Sequence, residues 1–452
     1  MSDLIISVSG LRGIIGSSLT PDVAVRYLAA YAAELPPGPV VVARDGRESG
    51  PMIRDAVASA LVGCGRQVMD AGVAATPTVG YFLKTIGAAG GVQISASHNP
   101  APYNGIKLFS SEGRVLGPLD GGMVRDRFLS GSLNWRANDS LGHVTRCGDP
   151  HVDHLEAVLE TVDLEAIRNA GFRVLLDSNH GAGGLLGLRL LEELGCEVVA
   201  CGTIPDGKFE HPPEPTEENL TGIAQRLTRL GCDVGFCQDP DADRLALIDA
   251  AGCYIGEEYT VALCAMHRLA QHPGPIVINC ATSGMTEWLA KKHRVPCIRS
   301  AVGEANVADA MLANRAVYGG EGNGGPIDPR VGLIRDSFVA MAQVLDLMAA
   351  RRMTLAQLAD QLPKLAIYKS KATLSAAQLP QVFQQLEQRF ADAKVDRSDG
   401  LRLAWEDRWL LVRGSNTEPI VRFIAEAPSM ATAQDLCAAA SKITAAFAQS
   451  PA

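Results

Sequence analysis

The chain has little of what would assign it at a glance. Only 5% of its 452 residues are aromatic, and a formal net charge of −9 comes with no block of Lys or Arg. Nucleic acid is therefore not expected as a partner. No apolar run approaches the roughly 18–20 residues that cross a bilayer, so no membrane is expected either. Met1–Gly10 has an acid at Asp3 and no basic stretch, which argues against a secretory signal. The eleven cysteines run from Cys64 to Cys437 without a C-x-x-C pair. They read as small buried hydrophobes in a reducing compartment, with Cys196/Cys201 and Cys232/Cys237 in strand-like runs. The nine histidines show no zinc spacing with cysteine, and His151-x-x-His154 reads as a solvated helix face. A soluble cytoplasmic protein is expected, long enough to build real cores without disulfide or metal staples. An acidic chain leaves one question: where would an anionic ligand find cations?

What is present is a recurring strand–helix pattern. Val40–Ala43, a helix over Pro51–Leu61, Val68–Met69, a helix near Thr78–Lys84 and Gly91–Ile94 form the first copy. The second runs Val174–Leu176, Leu185–Leu194, Glu197–Ala200, Glu218–Leu230 and Asp233–Cys237. The third runs Ile276–Ile278, Thr286–Lys292, Cys297–Arg299, Ala305–Leu312 and Ala316–Tyr318. Such alternation predicts mixed or parallel sheets in βαβ units. The tail differs, with strands at Leu365–Leu374, Leu401–Trp405, Trp409–Val412 and Ile420–Ala425 and helices near Gln378–Asp392 and Ala431–Phe447. The expected fold class is α/β: three similar α/β domains, 1–147, 148–250 and 251–364, plus a smaller α+β domain, 365–452, around one cleft. Thr20-Pro21-Asp22 reads as a helix start, with a capping Thr, a first-turn Pro and an acid.

In each copy the third strand runs into a polar or glycine-rich segment. Open α/β sheets bind ligands beyond the carboxyl ends of their strands, so these loops are the candidate site. Asp239-Pro-Asp241-Ala-Asp243-Arg244 places three carboxylates at alternate positions, where they repel unless a cation sits among them. A hard divalent ion, Mg²⁺ before Ca²⁺, suits that donor set, and a solvated turn is the plainer alternative. An EF-hand is excluded, because its sixth and twelfth positions are Arg244 and Ala250 rather than Gly and Glu. A phosphatase using Asp239 as nucleophile stays open. Ser95-Ala-Ser97-His98-Asn99-Pro100 lacks the flanking glycines of a hydrolase elbow. A hydroxyl beside a His near a metal loop suits phosphoryl transfer, and a polar turn is the alternative. Arg413-Gly-Ser415-Asn416-Thr417-Glu-Pro, with Arg422, offers the donors of a phosphate cradle or simply a tight hairpin. Gly319-Gly-Glu321-Gly-Asn323-Gly-Gly-Pro offers hydrogen bonds to hydroxyls, or a flexible link.

In this order and spacing the four segments resemble the α-D-phosphohexomutases. Ser9-Gly-Leu-Arg12-Gly, Arg44-Asp-Gly-Arg47, Tyr103-Asn-Gly-Ile-Lys107 and Val302-Gly-Glu304 add to the resemblance, which covers essentially the whole chain. It implies that Ser97 carries a phosphoryl group and that Asp239, Asp241 and Asp243, with an oxygen on Ser97, hold one Mg²⁺. Glu321 and Asn323 would contact sugar hydroxyls, and Arg413, Ser415, Asn416, Thr417 and Arg422 the non-reacting phosphate. Arg12, Lys107, His98 and Arg244 would assist proton or charge transfer. The implied substrate is a hexose phosphate, with a hexose 1,6-bisphosphate as activator and a monomer or homodimer as the acting form. Many relatives carry a His after the sugar loop; here Gly324-Gly325-Pro326-Ile327 follows Asn323. The glycine-rich variant resembles a branch of phosphoglucosamine mutases and phosphomannomutases, with glucosamine phosphate the slightly favoured substrate. A Mg²⁺-dependent phosphatase and a non-catalytic sugar-phosphate binder are the alternatives from other classes.

Overall fold

The computed structural model describes residues 4–414 and 419–448. Ser415, Asn416 and Thr417, expected in the phosphate cradle, lie outside the described residues.

Four sheets follow one another along the chain. In the first, the strand order is Ile5–Ser7, Gly10–Ile14, Tyr103–Phe109, Gly90–Ile94, Val40–Arg44, Val68–Val73, Val144–Arg146. In the second it is Leu245–Asp249, Val234–Gln238, Arg173–Asp177, Glu197–Cys201, and in the third Cys297–Ser300, Ile276–Asn279, Tyr318–Glu321, Gly325–Ile327. Each contains a parallel set whose third strand in sequence (Gly90–Ile94, Val234–Gln238 or Tyr318–Glu321) turns into an antiparallel return strand. The turn is the polar loop in every case. A return strand brings the loop back against its own sheet, so its side chains are fixed at the sheet's carboxyl edge. The fourth sheet, Ala366–Thr373, Ile420–Ala427, Trp409–Gly414, Leu401–Ala404, Lys394–Asp396, is antiparallel throughout.

The cores divide the molecule unevenly. Leu176 and Phe236 of the second sheet, Ile278 and Tyr318 of the third and Phe338 of the helix Ser337–Arg351 belong to one continuous apolar cluster. The fourth domain has its own core around Leu403, Leu410 and Phe423. It meets the third domain through a small cluster containing Cys280, Trp409 and Leu411. Burial of apolar area stabilises in proportion to its extent, so the second and third domains, which share a core, are joined more firmly than the fourth is to the third.

Several expectations need correction. The third repeat's last strand is Tyr318–Glu321, not Ala316–Tyr318. Gly319 and Gly320 hide it, because a strand without side chains shows no apolar pattern. His151 and His154 are buried rather than solvated. His154 meets Thr78 Oγ1 at 3.0 Å and Asp336 Oδ2 at 2.8 Å, tying the first domain to the third. The acids around it in the sequence mark the outer face of its helix and disguise the inner one. Pro21 starts the helix Pro21–Glu34, but the Thr20 hydroxyl donates to the Asp22 carboxylate instead of capping backbone. All eleven thiols are free, and Cys253 is exposed where a buried side chain was expected.

Candidate active site

The Ser97 loop is built on a buried ion pair. Arg47 Nε lies 3.2 Å from Asp45 Oδ2. The same guanidinium donates to the carbonyls of Ser97 and Asn99 at 2.6 Å and of Pro100 and Tyr103 at 3.0 Å. Asp45 also accepts from Ser95 Oγ at 2.6 Å, and Ser95 Oγ in turn accepts the Ser97 backbone N–H at 2.9 Å. This scaffold holds Ser97 at φ 50, a left-handed conformation costly for a non-glycine residue and often found where function requires it. Asp45 and Arg47 thus explain the Arg44-Asp-Gly-Arg47 motif, which sequence reasoning matched without giving it a task. Arg12 Nη1 donates to Asn99 Oδ1 at 3.0 Å from the strand Gly10–Ile14, so it borders the same loop.

The carboxylate loop meets the serine directly. Ser97 Oγ donates to Asp239 Oδ2 at 2.6 Å, and His98 Nδ1 stands 3.3 Å from the same hydroxyl. Asp239, Asp241 and Asp243 are all 0% exposed. Each offers an oxygen, and the three oxygens lie within 4.8 Å of one another. Lys107 Nζ is 2.8 Å from both Asp241 Oδ2 and Asp243 Oδ2. Thr76 Oγ1 donates to Asp241 Oδ2 at 2.6 Å, and Arg335 Nη2 donates to Asp243 Oδ2 at 2.6 Å. Arg244 supplies its backbone N–H to Asp239 Oδ1 at 3.2 Å, while its Nε is 3.8 Å from Asp243 Oδ1. Asp241 Oδ1 and Asp243 Oδ1 are buried and have no hydrogen-bond partner among the described residues. A buried carboxylate oxygen left without a partner is costly even where the other oxygen is paired. Hard oxygen donors converging this way fit a hard divalent cation, so these residues could hold a metal.

The charges separate the three acids. Burial raises Asp239, and the neighbouring Asp241 and Asp243 push it further, well above the carboxylate range. Burial also opposes ionisation of Asp241, but Lys107 and Thr76 outweigh it and hold that carboxyl low. Asp243 is lowered too, with Arg335 the main influence against burial. Burial draws the Lys107 ammonium down, yet Asp241, Asp243 and Glu304 reverse this and keep it charged. His98 is pushed down to about 3, first by burial and then by Arg244 and Arg12, so its imidazole is neutral at ordinary pH.

The glycine-rich segment is a hairpin, not a flexible link. The Gly324 carbonyl accepts the Leu245 N–H at 2.9 Å; the glycine sits at φ 82, and a Cβ there would lie 2.5 Å from the Leu245 carbonyl. At Gly322 a Cβ would come within 2.0 Å of Glu258 Oε2. Glu321 is fixed by Asn279 Nδ2 at 2.7 Å, the Gly303 N–H at 2.9 Å and Arg335 Nη1 at 3.1 Å. With its amide turned so that both ends are satisfied, Asn323 has its oxygen 3.0 Å from Arg335 Nη1 and its nitrogen 3.3 Å from the Glu321 carbonyl.

Across from this hairpin the fourth domain presents cations. A cleft of about 570 Å³ is lined by Glu321 and Asn323 on one side and Lys369, Lys371, Arg413 and Arg422 on the other. Lys371 and Arg413 are the two cross-strand partners of Arg422. Like charges directly opposite one another destabilise a sheet, and three in a row could hold an anion. The serine and carboxylate loops do not line this cleft; the structure brings Ser97, His98, Lys107 and the three aspartates together, with Arg12 and Arg244 beside them, and places Arg413 and Arg422 in the other cleft. Sequence reasoning missed Thr76, Arg335, Lys369, Lys371 and Glu258. The two lysines were open to discovery, since they alternate on the strand expected at Leu365–Leu374. No helix among the described residues is long and apolar enough to cross a membrane.

Three α/β domains with loops at matching sheet edges, followed by an antiparallel fourth domain, define the architecture of the α-D-phosphohexomutases. The chain belongs to the phosphoglucomutase/phosphomannomutase family. Residues 4–132, 149–252 and 257–366 match its alpha/beta/alpha domains I, II and III, and residues 367–443 its C-terminal domain. Among relatives, the phosphoglucomutase/phosphomannomutase of Thermococcus kodakarensis is 37% identical, over 94% of this chain and 95% of that one. The probable phosphoglucosamine mutase of Methanopyrus kandleri is 32% identical over 95% of each. A phosphoglucomutase/phosphomannomutase family protein from Burkholderia thailandensis superposes with a TM-score of 0.84 at 27% identity, covering 97% of this chain and 98% of its own.

Proposed function

We propose that this enzyme moves phosphate between the 1- and 6-positions of an aldohexose, with glucosamine phosphate preferred, through a phosphoserine at Ser97. The observation that carries the reading is the Ser97 hydroxyl, held in a strained loop and hydrogen-bonded at 2.6 Å to a buried cluster of three carboxylates. In the forward step the bond from phosphorus to Ser97 Oγ breaks and one to the free sugar hydroxyl forms, giving a hexose 1,6-bisphosphate. The bisphosphate turns end for end, and its other phosphate returns to Ser97. The same bisphosphate, supplied as activator, would phosphorylate a resting enzyme. A bound Mg²⁺, held by Asp239, Asp241, Asp243 and an oxygen on Ser97, would neutralise charge developing on the transferring group.

The chain's own groups do the rest. Lys107, kept charged by its acidic neighbours, donates toward the transferring oxygens, with Arg12 and Arg244 beside it. The attacking sugar hydroxyl gives up a proton as the departing Ser97 Oγ gains one, and His98, 3.3 Å from Ser97 Oγ, stands where it can relay that proton in a chain without the histidine many relatives have after the sugar loop. Glu321 and Asn323 orient sugar hydroxyls. Arg413, Arg422, Lys369 and Lys371, with Ser415, Asn416 and Thr417, grip the phosphate that is not reacting. One anchor serves both orientations of the bisphosphate, which accounts for a cation row far from Ser97. Domain limits near 147, 250 and 365 suit this division, with a hinge near 365 that lets the fourth domain close. The frequency of phosphoglucosamine mutase among the names of relatives supports the sugar preference. The test is kcat/KM for glucosamine, glucose and mannose 1-phosphates with Mg²⁺ and the matching bisphosphate. Glucosamine should lead; if all were inert with Ser97 phosphorylated and metal present, the reading would fall.

A further inference from the structure

Arg335 belongs to none of the motifs, yet it joins three of their side chains. It is 7% exposed. Nη2 donates to Asp243 Oδ2 at 2.6 Å, Nη1 to Glu321 Oε2 at 3.1 Å, and the Asn323 amide oxygen is 3.0 Å from Nη1. Its backbone is equally fixed. Its N–H donates to Glu304 Oε1 at 2.7 Å. The next residue, Asp336, caps the helix Ser337–Arg351 through Oδ1, while its Oδ2 meets His154 at 2.8 Å. A Cβ at Gly325 would lie 2.3 Å from Arg335 Cδ, so the glycine after the sugar loop leaves room for this side chain.

The oxygens of the two outer aspartates are treated alike. Asp241 Oδ2 is held by Thr76 and Lys107, and Asp243 Oδ2 by Arg335 and Lys107. In both residues Oδ1 is the buried oxygen without a hydrogen-bond partner among the described residues. Thr76 can do no more than orient Asp241. Arg335 orients Asp243 and at the same time grips Glu321, because a planar fork can serve two carboxylates where an ammonium acts as a point charge.

We infer that Arg335 is a positioning residue: it leaves Asp243 Oδ1 for the cation and fixes Glu321 and Asn323 in register with it, so cation and sugar are bound by one rigid unit. This rests on the reading that the aspartates hold a divalent ion and that Glu321 meets the sugar. Two effects of Arg335 on metal binding oppose each other, which makes the sign informative. Its positive charge repels a cation, whereas its orientation of a ligand favours one. Partners that orient metal ligands are typically worth about 10–100-fold in affinity, and orientation is expected to win.

The experiment is Mn²⁺ titration of the full chain by electron paramagnetic resonance, without substrate, alongside KM for glucosamine 6-phosphate. R335M should weaken Mn²⁺ binding roughly 10-fold although a cation has been removed. R335K should resemble R335M despite keeping the charge, and both should raise KM about 10-fold, as loss of one charged hydrogen bond implies. T76V should weaken Mn²⁺ binding without a matching rise in KM. Equal or tighter Mn²⁺ binding in R335M, or wild-type affinity and KM in R335K, would overturn the inference. If R335M fails a thermal-melt check of folding, R335K decides alone. Should the wild type turn over no hexose phosphate, the functional reading fails, while the Mn²⁺ titrations still judge Arg335.

Discussion

On the proposed reading, the centre around Ser97 and the cation row of the fourth domain serve the same kind of group by opposite means. In the first, three aspartates with no exposure are interlocked with Lys107, Thr76 and Arg335 drawn from the first and third domains. In the second, Lys369, Lys371 and Arg422 stand exposed on a sheet with a separate core. Buried charges must be arranged in advance, because a misplaced one is costly in a low-dielectric interior. Exposed cations cost little to hold and can accept a phosphate in either orientation of a turning intermediate. On that reading chemistry falls to the buried centre and capture to the attached domain; the cations are concentrated locally, so the net charge of −9 says nothing against phosphate.

Substitutions can break that contrast in turn. S97A removes the hydroxyl at the rigid centre and should lower kcat at least about 10³-fold, measured with saturating hexose phosphate and bisphosphate. D241N should reach beyond activity. By removing a charge that faces Lys107, it should lower the free energy of urea unfolding by about 3 kcal/mol or more in metal-free buffer. R422M in the fourth domain should behave otherwise. KM should rise roughly 10-fold from loss of a charged contact, while unfolding free energy stays within about 0.5 kcal/mol of wild type. A large loss of stability in R422M would erase the distinction between the two regions.

A pH-dependent effect lies where the third and fourth domains face each other. Burial pushes the Glu258 carboxyl up from 4.5 to about 8, against the pull of Lys369. A carboxyl raised in the fold binds its proton more tightly folded than unfolded. Its contribution to stability is therefore full below about pH 4.5 and is lost as pH rises through about 8. Wild type should lose stability relative to E258Q between pH 5 and pH 9, read from paired urea unfolding curves. Parallel curves would place Glu258 in water.

How much of this was legible in the sequence depended on how local the signal was. Charge-dense loops after apolar strands stood out, and the structure assembles Ser97, His98, Lys107 and Asp239, Asp241 and Asp243 as one cluster. Features made by distant chain segments did not stand out. Arg335 follows an irregular stretch after Ile327 and has no periodic pattern around it. The one available hint was Asp336, a capping residue before the apolar run Phe338–Ala342. His154 was misread because three nearby acids imitate a solvent face, and the strand Tyr318–Glu321 because its glycines carry no pattern. The fold was legible at the level of repeats, since each depends on a short apolar strand and an amphipathic helix. The antiparallel return strands were not, because pairing direction is settled by the loop that precedes them.

The central claim is that phosphate resides on Ser97 and leaves it for a sugar. Incubating the protein with Mg²⁺ and ³²P-labelled glucosamine 1,6-bisphosphate, then mapping the labelled peptide before and after a chase with unlabelled glucosamine 6-phosphate, tests it directly. The account predicts label on the peptide containing Ser97, chased into sugar bisphosphate without release of inorganic phosphate. Label on Asp239, or its loss as inorganic phosphate during the chase, would contradict the account and indicate a phosphatase.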